Sequence, residues 1–335
     1  MTHPPIWKQA LANLMVRLRR KHPATPEALE ALHRSEEACF NDSSYVYGRG
    51  ADGMALVMRL SVRTDAPSEV WMSVRVPGRP IARVPVQNHP QEEGWRAGGL
   101  TWTPMEPGRT LQLRYEGPLV SEEGEQEALI ALTFEGEGPL IDFSDGVDPR
   151  VTARAIAARP WSRRFFDQLG EIRTVHYEQV GRLHGTVQLG DEVHEVDLRS
   201  VRDHSFGRRQ WQTWRQHLWF SGVREDGVAF TAACIRYDFL GPLTAGFVID
   251  GTPKPVSAVP AFDALGPPGV IPPRFTFEIT CTDGSHHVVE VEVDGVFEFN
   301  MDDGAYCIHE AIARSTVDGI PAVGICEFGW NPRHG

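Results

Sequence analysis

The sequence predicts an all-β chain of two β-barrel or sandwich domains, with a short helical arm ahead of them and a helical linker between them. Three observations lead there. From about residue 40 onward, apolar and polar residues alternate with a period of two in many short runs, separated by Gly, Pro, Asp or Asn. The chain has 335 residues, room for about two domains at roughly 150 residues each. Residues 148–169 break the alternation with a helical period, and no repeat of fixed short period points to a solenoid or propeller.

Taken in order, Trp7, Leu11, Leu14, Met15 and Leu18 recur at helical spacing, and a second helix is predicted with Thr25 as N-cap, Pro26 in its first turn and Leu29 and Leu32 along it. These form a helical arm over residues 1–38. A first β-domain follows over 39–147, with strands at 55–63, 69–76, 111–115 and 128–134. Val151, Ala155 and Ile156, then Trp161, Phe165, Phe166 and Leu169, suit short helices split at Pro160, so a linker is placed at 148–170. The second β-domain is expected over 171–332, with strands at 173–189, 194–199, 217–223, 229–237, 244–250, 275–281, 287–293, 306–317 and 322–328. The proline-rich run 259–273 cannot be a central strand; it is expected as an ordered loop packed on the barrel, with a lid over a pocket mouth as the alternative.

Composition excludes several function classes. With 45 acidic against 33 basic residues and a formal charge of −12, the chain repels phosphate backbones at long range, so nucleic acid is not expected as a partner. Cys39, Cys234, Cys281, Cys307 and Cys326 are odd in number and scattered, which supports neither a disulfide frame nor a zinc ribbon, and buried free thiols are expected. No apolar run has signal-peptide or membrane-spanning length, so a cytoplasmic protein without stable membrane insertion is expected. Glycine-rich phosphate cradles and the G-x-S-x-G elbow are absent, which argues against nucleotide cofactors and serine hydrolysis.

Residues that suit proton chemistry cluster in one stretch. His176 and Glu178 are two apart and share a strand face, the geometry of a paired acid and base or of two metal ligands. Gly181 and Gly185 are candidate bulges that would carry His184 off that face. Asp203 and His204 are neighbours and so point to opposite faces. Asp203 is placed facing the apolar lumen of the second barrel, where lost hydration favours a protonated carboxyl able to donate; the alternative is an ion pair with Arg202 or Arg208 that ties strands together. Trp211, Trp214, Trp219 and Phe220 supply aromatic walls, and Tyr45 and Tyr47 share a face on an early strand. Glu310 and Glu327 interrupt apolar strands, and either one, if turned inward, is expected to pair with an arginine of residues 202–209. Neither H-E-x-x-H nor a 2-His-1-carboxylate spacing is present, so no metal is expected.

Two motifs carry a family resemblance. The runs His176-Tyr-Glu-Gln-x-Gly181-x-x-x-Gly185 and Arg202-Asp-His-Ser-Phe-Gly207-x-Arg209-x-Trp211 resemble a pair of β-domains found ahead of the catalytic part of some animal phosphotransferase-like proteins and alone in many bacterial proteins. The likeness continues through Asn41-Asp-Ser, Ala97-Gly-Gly-Leu100, Glu106-Pro, Trp161-Ser-Arg and Cys326-Glu-Phe, and covers most of residues 40–330. The core Asp203-His204-Ser205-Phe206-Gly207 is also similar to the Asp-His-Asn-Trp-Gly type of motif in the lipocalin-like superfamily of carotenoid 1,2-hydratases (hydroxyneurosporene synthases), AttH-type proteins and fungal Diels–Alderase-type cyclases. That resemblance implies two lipocalin-like barrels with a ligand site at or between them, and at Asp203 an acid that protonates an isolated alkene. His176 falls near a hydratase histidine, whereas the tyrosine expected two residues before the acid is Val201 here.

Residues and resemblance together lead to an expected cofactor-independent lyase or isomerase, a hydratase or cyclase, that protonates an apolar small molecule such as a terpenoid, polyene or polyketide. Asp203 is the expected acid, with His204 or His176 as base or orienting partner. Arg202 and Arg209 lend electrostatic support, Trp211 and Trp214 wall a carbocation, and Glu178 and Tyr45 lie beside the substrate. The alternative is a non-catalytic lipocalin-like protein that binds a hydrophobic ligand. Oligomeric state is left open by the sequence.

Overall fold

The computed structural model describes residues 4–18, 25–143, 148–172, 174–259, 267–302 and 304–334. Its strands close into two antiparallel rings, so the chain is all-β with two barrels, as expected. It divides into two compact units: Pro23–Asp142 with Thr174–Arg209 make the first, and Met1–His22, Phe143–Arg173 and Gln210–Gly335 make the second.

In the first unit, α1 of the chain is absent and the arm contributes only α2 (Pro26–Glu30), whose N-cap Thr25 accepts a hydrogen bond from the Ala28 amide, as expected. The strands are β1 (Phe40–Arg49), β2 (Ala55–Arg63), β3 (Ser68–Arg75), β4 (Ala82–Arg83), β5 (Asn88–His89), β6 (Arg96–Ala97), β7 (Leu100–Glu106), β8 (Thr110–Ser121), β9 (Gly124–Gly136), β10 (Ile141–Asp142), β11 (Thr174–Leu189) and β12 (Glu192–Arg208). The ring runs β11-β12-β1-β2-β3-β4-β8-β9 and returns to β11. Here the expected boundaries are corrected. The hairpin β11–β12, with the Arg202–Arg209 motif at its end, belongs to the first barrel and not to the second. The reason is edge closure: without it, β1 and β9 are open edges with unpaired amides and carbonyls, and the hairpin pairs with both.

Side-chain alternation then fixes what faces inward. Val46, Leu56, Met58, Leu60, Val70, Met72, Leu113, Ile130, Phe134, Leu183, Val196 and Leu198 are buried in one apolar cluster that fills the ring. Burial of each such large side chain is worth about 1.5–3 kcal/mol. On β12 this inward set continues as Arg202 and His204, so Asp203 lies on the outward face. The expectation of an Asp203 carboxyl in the lumen of the second barrel is therefore corrected twice, in barrel and in face. Gly181 and Gly185 also form no bulge, since the register of β11 runs unbroken against both β12 and β9. They are sites of close approach: a Cβ on Gly185, whose φ is +139°, would stand 2.2 Å from the Ala131 carbonyl oxygen.

The second unit holds α1 (Ile6–Arg17), α3 (Pro149–Ala157) and α4 (Arg163–Glu171), with strands β13 (Trp214–Arg224), β14 (Ala229–Tyr237), β15 (Leu243–Asp250), β16 (Thr252–Ala258), β17 (Arg274–Cys281), β18 (His286–Met301), β19 (Tyr306–Val317) and β20 (Ile320–Trp330) closed in that order. The linker helices split at Pro160 as expected, with Asp148 and Ser162 as N-caps. In α1 the periodicity is right but the burial is reversed. Ala12 and Val16 pack with Ala153, Ile156 and Phe165, whereas Trp7, Leu11, Leu14, Met15 and Leu18 are exposed. Phe220, Phe230, Phe277, Ile279, Val289, Val291 and Ala313 fill this ring. Of the proline-rich run, residues 260–266 lie outside the described residues. Its described part packs close to Trp330 at Gly269, and it borders a small cleft with Gln216, His217 and Phe328.

Candidate functional site

Inside the mouth of the first barrel, strand alternation brings polar side chains onto the core face. Tyr177 and Gln179 of β11, Arg202 and His204 of β12 and Asp42 of β1 are all buried there, beneath α2 and the residues after it. Arg202 donates to Glu30 of α2 at 2.5 Å and to the Gln179 amide oxygen at 2.9 and 2.7 Å, and it lies 5.1 Å over the Phe134 ring. Glu30 also accepts from the Gly108 amide at 2.7 Å. Beside this pair, Asp42 accepts from the His33 backbone amide at 2.5 Å and from His33 Nδ1 at 3.1 Å, and its other oxygen meets His204 Nε2 at 2.5 Å. Burial pushes the Asp42 carboxyl upward, but the contacts from His204 and His33 outweigh it and hold Asp42 below the usual aspartate range. His204 Nδ1 stands 2.9 Å from the Tyr177 hydroxyl, which donates to the Leu29 carbonyl at 3.4 Å. Burial pushes that hydroxyl far above the usual tyrosine range, so it stays protonated.

The outward face of the same strands has a different character. Register alone aligns Glu178, Asp203, Tyr45, Arg59 and Trp71 in one row across β11, β12, β1, β2 and β3. A second row, His176, Ser205, Ser43, Ser61 and Glu69, runs along one side of it, and an apolar row, Val180, Val201, Tyr47, Val57 and Ser73, along the other. Opposed residues on one face of an antiparallel pair have Cβ atoms about 4.5–5.5 Å apart, so neighbours in each row are within reach of each other. The face is buried despite its polarity: Glu178 is 2% exposed, Arg59 and Glu69 are each 4%, and Tyr47 and Trp71 are each 2%. Arg59 donates to Glu69 at 3.0 Å and its guanidinium lies 4.5 Å over the Trp71 ring. His176 Nε2 is 3.5 Å from Glu178 Oε1. The row holds two carboxylates, a phenol, a guanidinium and an indole, with Glu178, Arg59 and Trp71 buried and Asp203 and Tyr45 half-buried, a kind of polar burial that a core does not need.

Of the residues singled out by sequence, His176, Glu178, Asp203 and Tyr45 thus share this face. His204 and Arg202 do not: both turn into the barrel, where Arg202 anchors α2 instead of facing a ligand. Arg209, at the end of the hairpin, donates to the Ser205 hydroxyl at 2.9 Å. Trp211 and Trp214 pack in the second unit, where Trp211 stacks on Tyr306 with ring centroids 5.3 Å apart and Trp214 stands edge-on to His217. Tyr306 in turn contacts His217 Nδ1 at 2.7 Å, and His217 Nε2 contacts Glu327. Glu310 and Glu327 are cross-strand neighbours opposite the apolar lining of their ring, so neither turns inward. The sequence reading missed Arg59, Glu69 and Trp71. The available signal was Arg59 itself, a charge inside the apolar run 55–60. It also missed Glu30, His33, Asp42 and Tyr177, which come together only once the hairpin closes the ring.

Among described residues, no helix is long and apolar enough to cross a membrane. Solved structures with this fold include an AttH-type protein from Nitrosomonas europaea, at 16% identity and a TM-score of 0.57 over 92% of this chain and 98% of that one. Kievitone hydratase from Nectria haematococca is similar at 9% identity and a TM-score of 0.53 over 91% of this chain and 94% of that one. CghA matches at 9% identity and a TM-score of 0.52 over 88% of this chain and 89% of that one. At these identities the likeness is one of fold. No curated protein matches the chain. Residues 26–332 match the family described as "Domain of unknown function (DUF7064)", and the chain belongs to that family.

Proposed function

We propose that the protein is a lyase or isomerase of hydratase or cyclase type that protonates an apolar small molecule, such as a terpenoid, polyene or polyketide, on the outward face of the first barrel. The row Glu178–Asp203–Tyr45–Arg59–Trp71 carries this reading. Asp203 is the proton donor. Glu178, opposite it across the strand pair and backed by His176, takes the proton released by the attacking water or by the cationic intermediate and passes it back to Asp203. Tyr45 and the Arg59 guanidinium orient the polar end of the substrate, while the Trp71 ring and the neighbouring row of Val180, Val201 and Val57 receive its apolar body. His204 and Arg202 are positioning residues that fix β12 from within. Kievitone hydratase has the same fold, which supports a hydration-type reaction without naming the substrate.

The experiment is mass spectrometry of ligand co-purified with the protein, before and after incubation, with wild type and Asp203→Asn. General acids contribute about 10²–10⁴-fold to rate, so the variant is expected to bind the same ligand and convert it at least about 100-fold more slowly. Recovery of unaltered ligand from folded wild type in every condition indicates a binding protein instead. Conversion at the wild-type rate by Asp203→Asn refutes the acid.

A further inference from the structure

We propose that His33, Asp42 and His204 bind one divalent transition-metal ion, with Zn2+ the fitting occupant. The three side chains offer two imidazole nitrogens and a carboxylate oxygen that all lie within 4.8 Å of one another at the mouth of the first barrel, Asp42 and His204 buried and His33 half-buried. This donor set suits zinc or another first-row metal, and three protein ligands leave a position for water or a small exogenous ligand. The site is separate from the Asp203 face, because β12 turns His204 to the opposite side of the barrel wall.

The hydrogen bonds around the cluster orient its donors. The Leu29 carbonyl can only accept, so the Tyr177 hydroxyl donates to it. The Tyr177 oxygen accepts from His204 Nδ1, 2.9 Å away, so the ring is held with Nε2 on the Asp42 side, 2.5 Å from Oδ1. Tyr177 is thus the outer-shell partner that a metal-bound imidazole ordinarily has. The remaining features of a built site are present too. The His33 ring is held by stacking on Phe206, with centroids 3.6 Å apart, Trp95 stands edge-on to His204, and the His33 side chain, 26% exposed, gives an entry path.

The test uses the full chain, stripped with chelator and titrated with Co2+ and then Zn2+. One equivalent of Co2+ is expected to give visible d–d absorption that Zn2+ abolishes. X-ray absorption of the zinc-loaded protein is expected to show only nitrogen and oxygen donors, at about 2.0–2.2 Å, with outer-shell scattering from imidazole. His33→Gln is expected to weaken binding at least tenfold and Tyr177→Phe by about tenfold or more, while His286→Gln, on β18 of the second unit, changes nothing. Absence of a stoichiometric Co2+ spectrum, sulfur scattering at the zinc edge, or equal binding by His33→Gln overturns the site. Should His33→Gln not fold, the wild-type absorption data decide alone.

Discussion

Asp203 and His204 differ by one step along β12 and by the full thickness of the barrel wall, and that step separates two kinds of chemistry. Outward, Asp203 joins a carboxylate, a phenol and a guanidinium in a row; inward, His204 and Arg202 enter a network whose partners are supplied by α2 and β1. The inner pair Arg202–Glu30 is buried at both ends, at 5% and 4% side-chain exposure. Removing one member of such a pair strands the other in a low-dielectric site. Arg202→Ala is therefore expected to cost about 3–5 kcal/mol, read as a lower urea midpoint, and a change of under about 1 kcal/mol would contradict the anchoring role. The sequence made it plain that Asp203 and His204 could not share a face. Which of them faced the core depended on the hairpin belonging to the first ring, and nothing local to residues 200–209 records that.

At the scale of elements, strand identity was legible and strand partnership was not. Period-two alternation located the long strands of both barrels, and the N-cap Thr25 located the start of α2, because these are local preferences. The domain boundary was set by the helical residues 148–170, yet the chain passes through them and returns to finish the first ring. Two glycines on β11 illustrate the gap: the sequence suggested bulges, whereas the structure uses them where β9 crosses closely. Gly185→Ala would force a Cβ to 2.2 Å from the Ala131 carbonyl oxygen at a φ of +139°. Overpacking of this kind costs about 1–3 kcal/mol, and the expected readout is a lower urea midpoint with the same slope. An unchanged midpoint would show that β9 and β11 do not approach as described.

For the molecule as a whole, apolar side chains cluster inside each ring, so the barrels supply rigid walls. The candidate site accordingly lies on a wall. Its outward rows grade from His176, Ser43 and Ser61 on one side to Val180, Val201 and Val57 on the other, a pattern that suits a molecule with one polar end and an apolar body. From sequence, the His176–Glu178 pair and Asp203 were legible as candidates for proton chemistry; the row that unites them with Tyr45, Arg59 and Trp71 required the register of five strands. The claim that Asp203 delivers a proton to carbon is tested most directly by turnover in D2O. Wild-type protein is predicted to place one carbon-bound deuterium in each product molecule, and Asp203→Asn to place almost none in the same time. Product that forms with no carbon-bound deuterium, or equal deuterium incorporation by the variant, would contradict it.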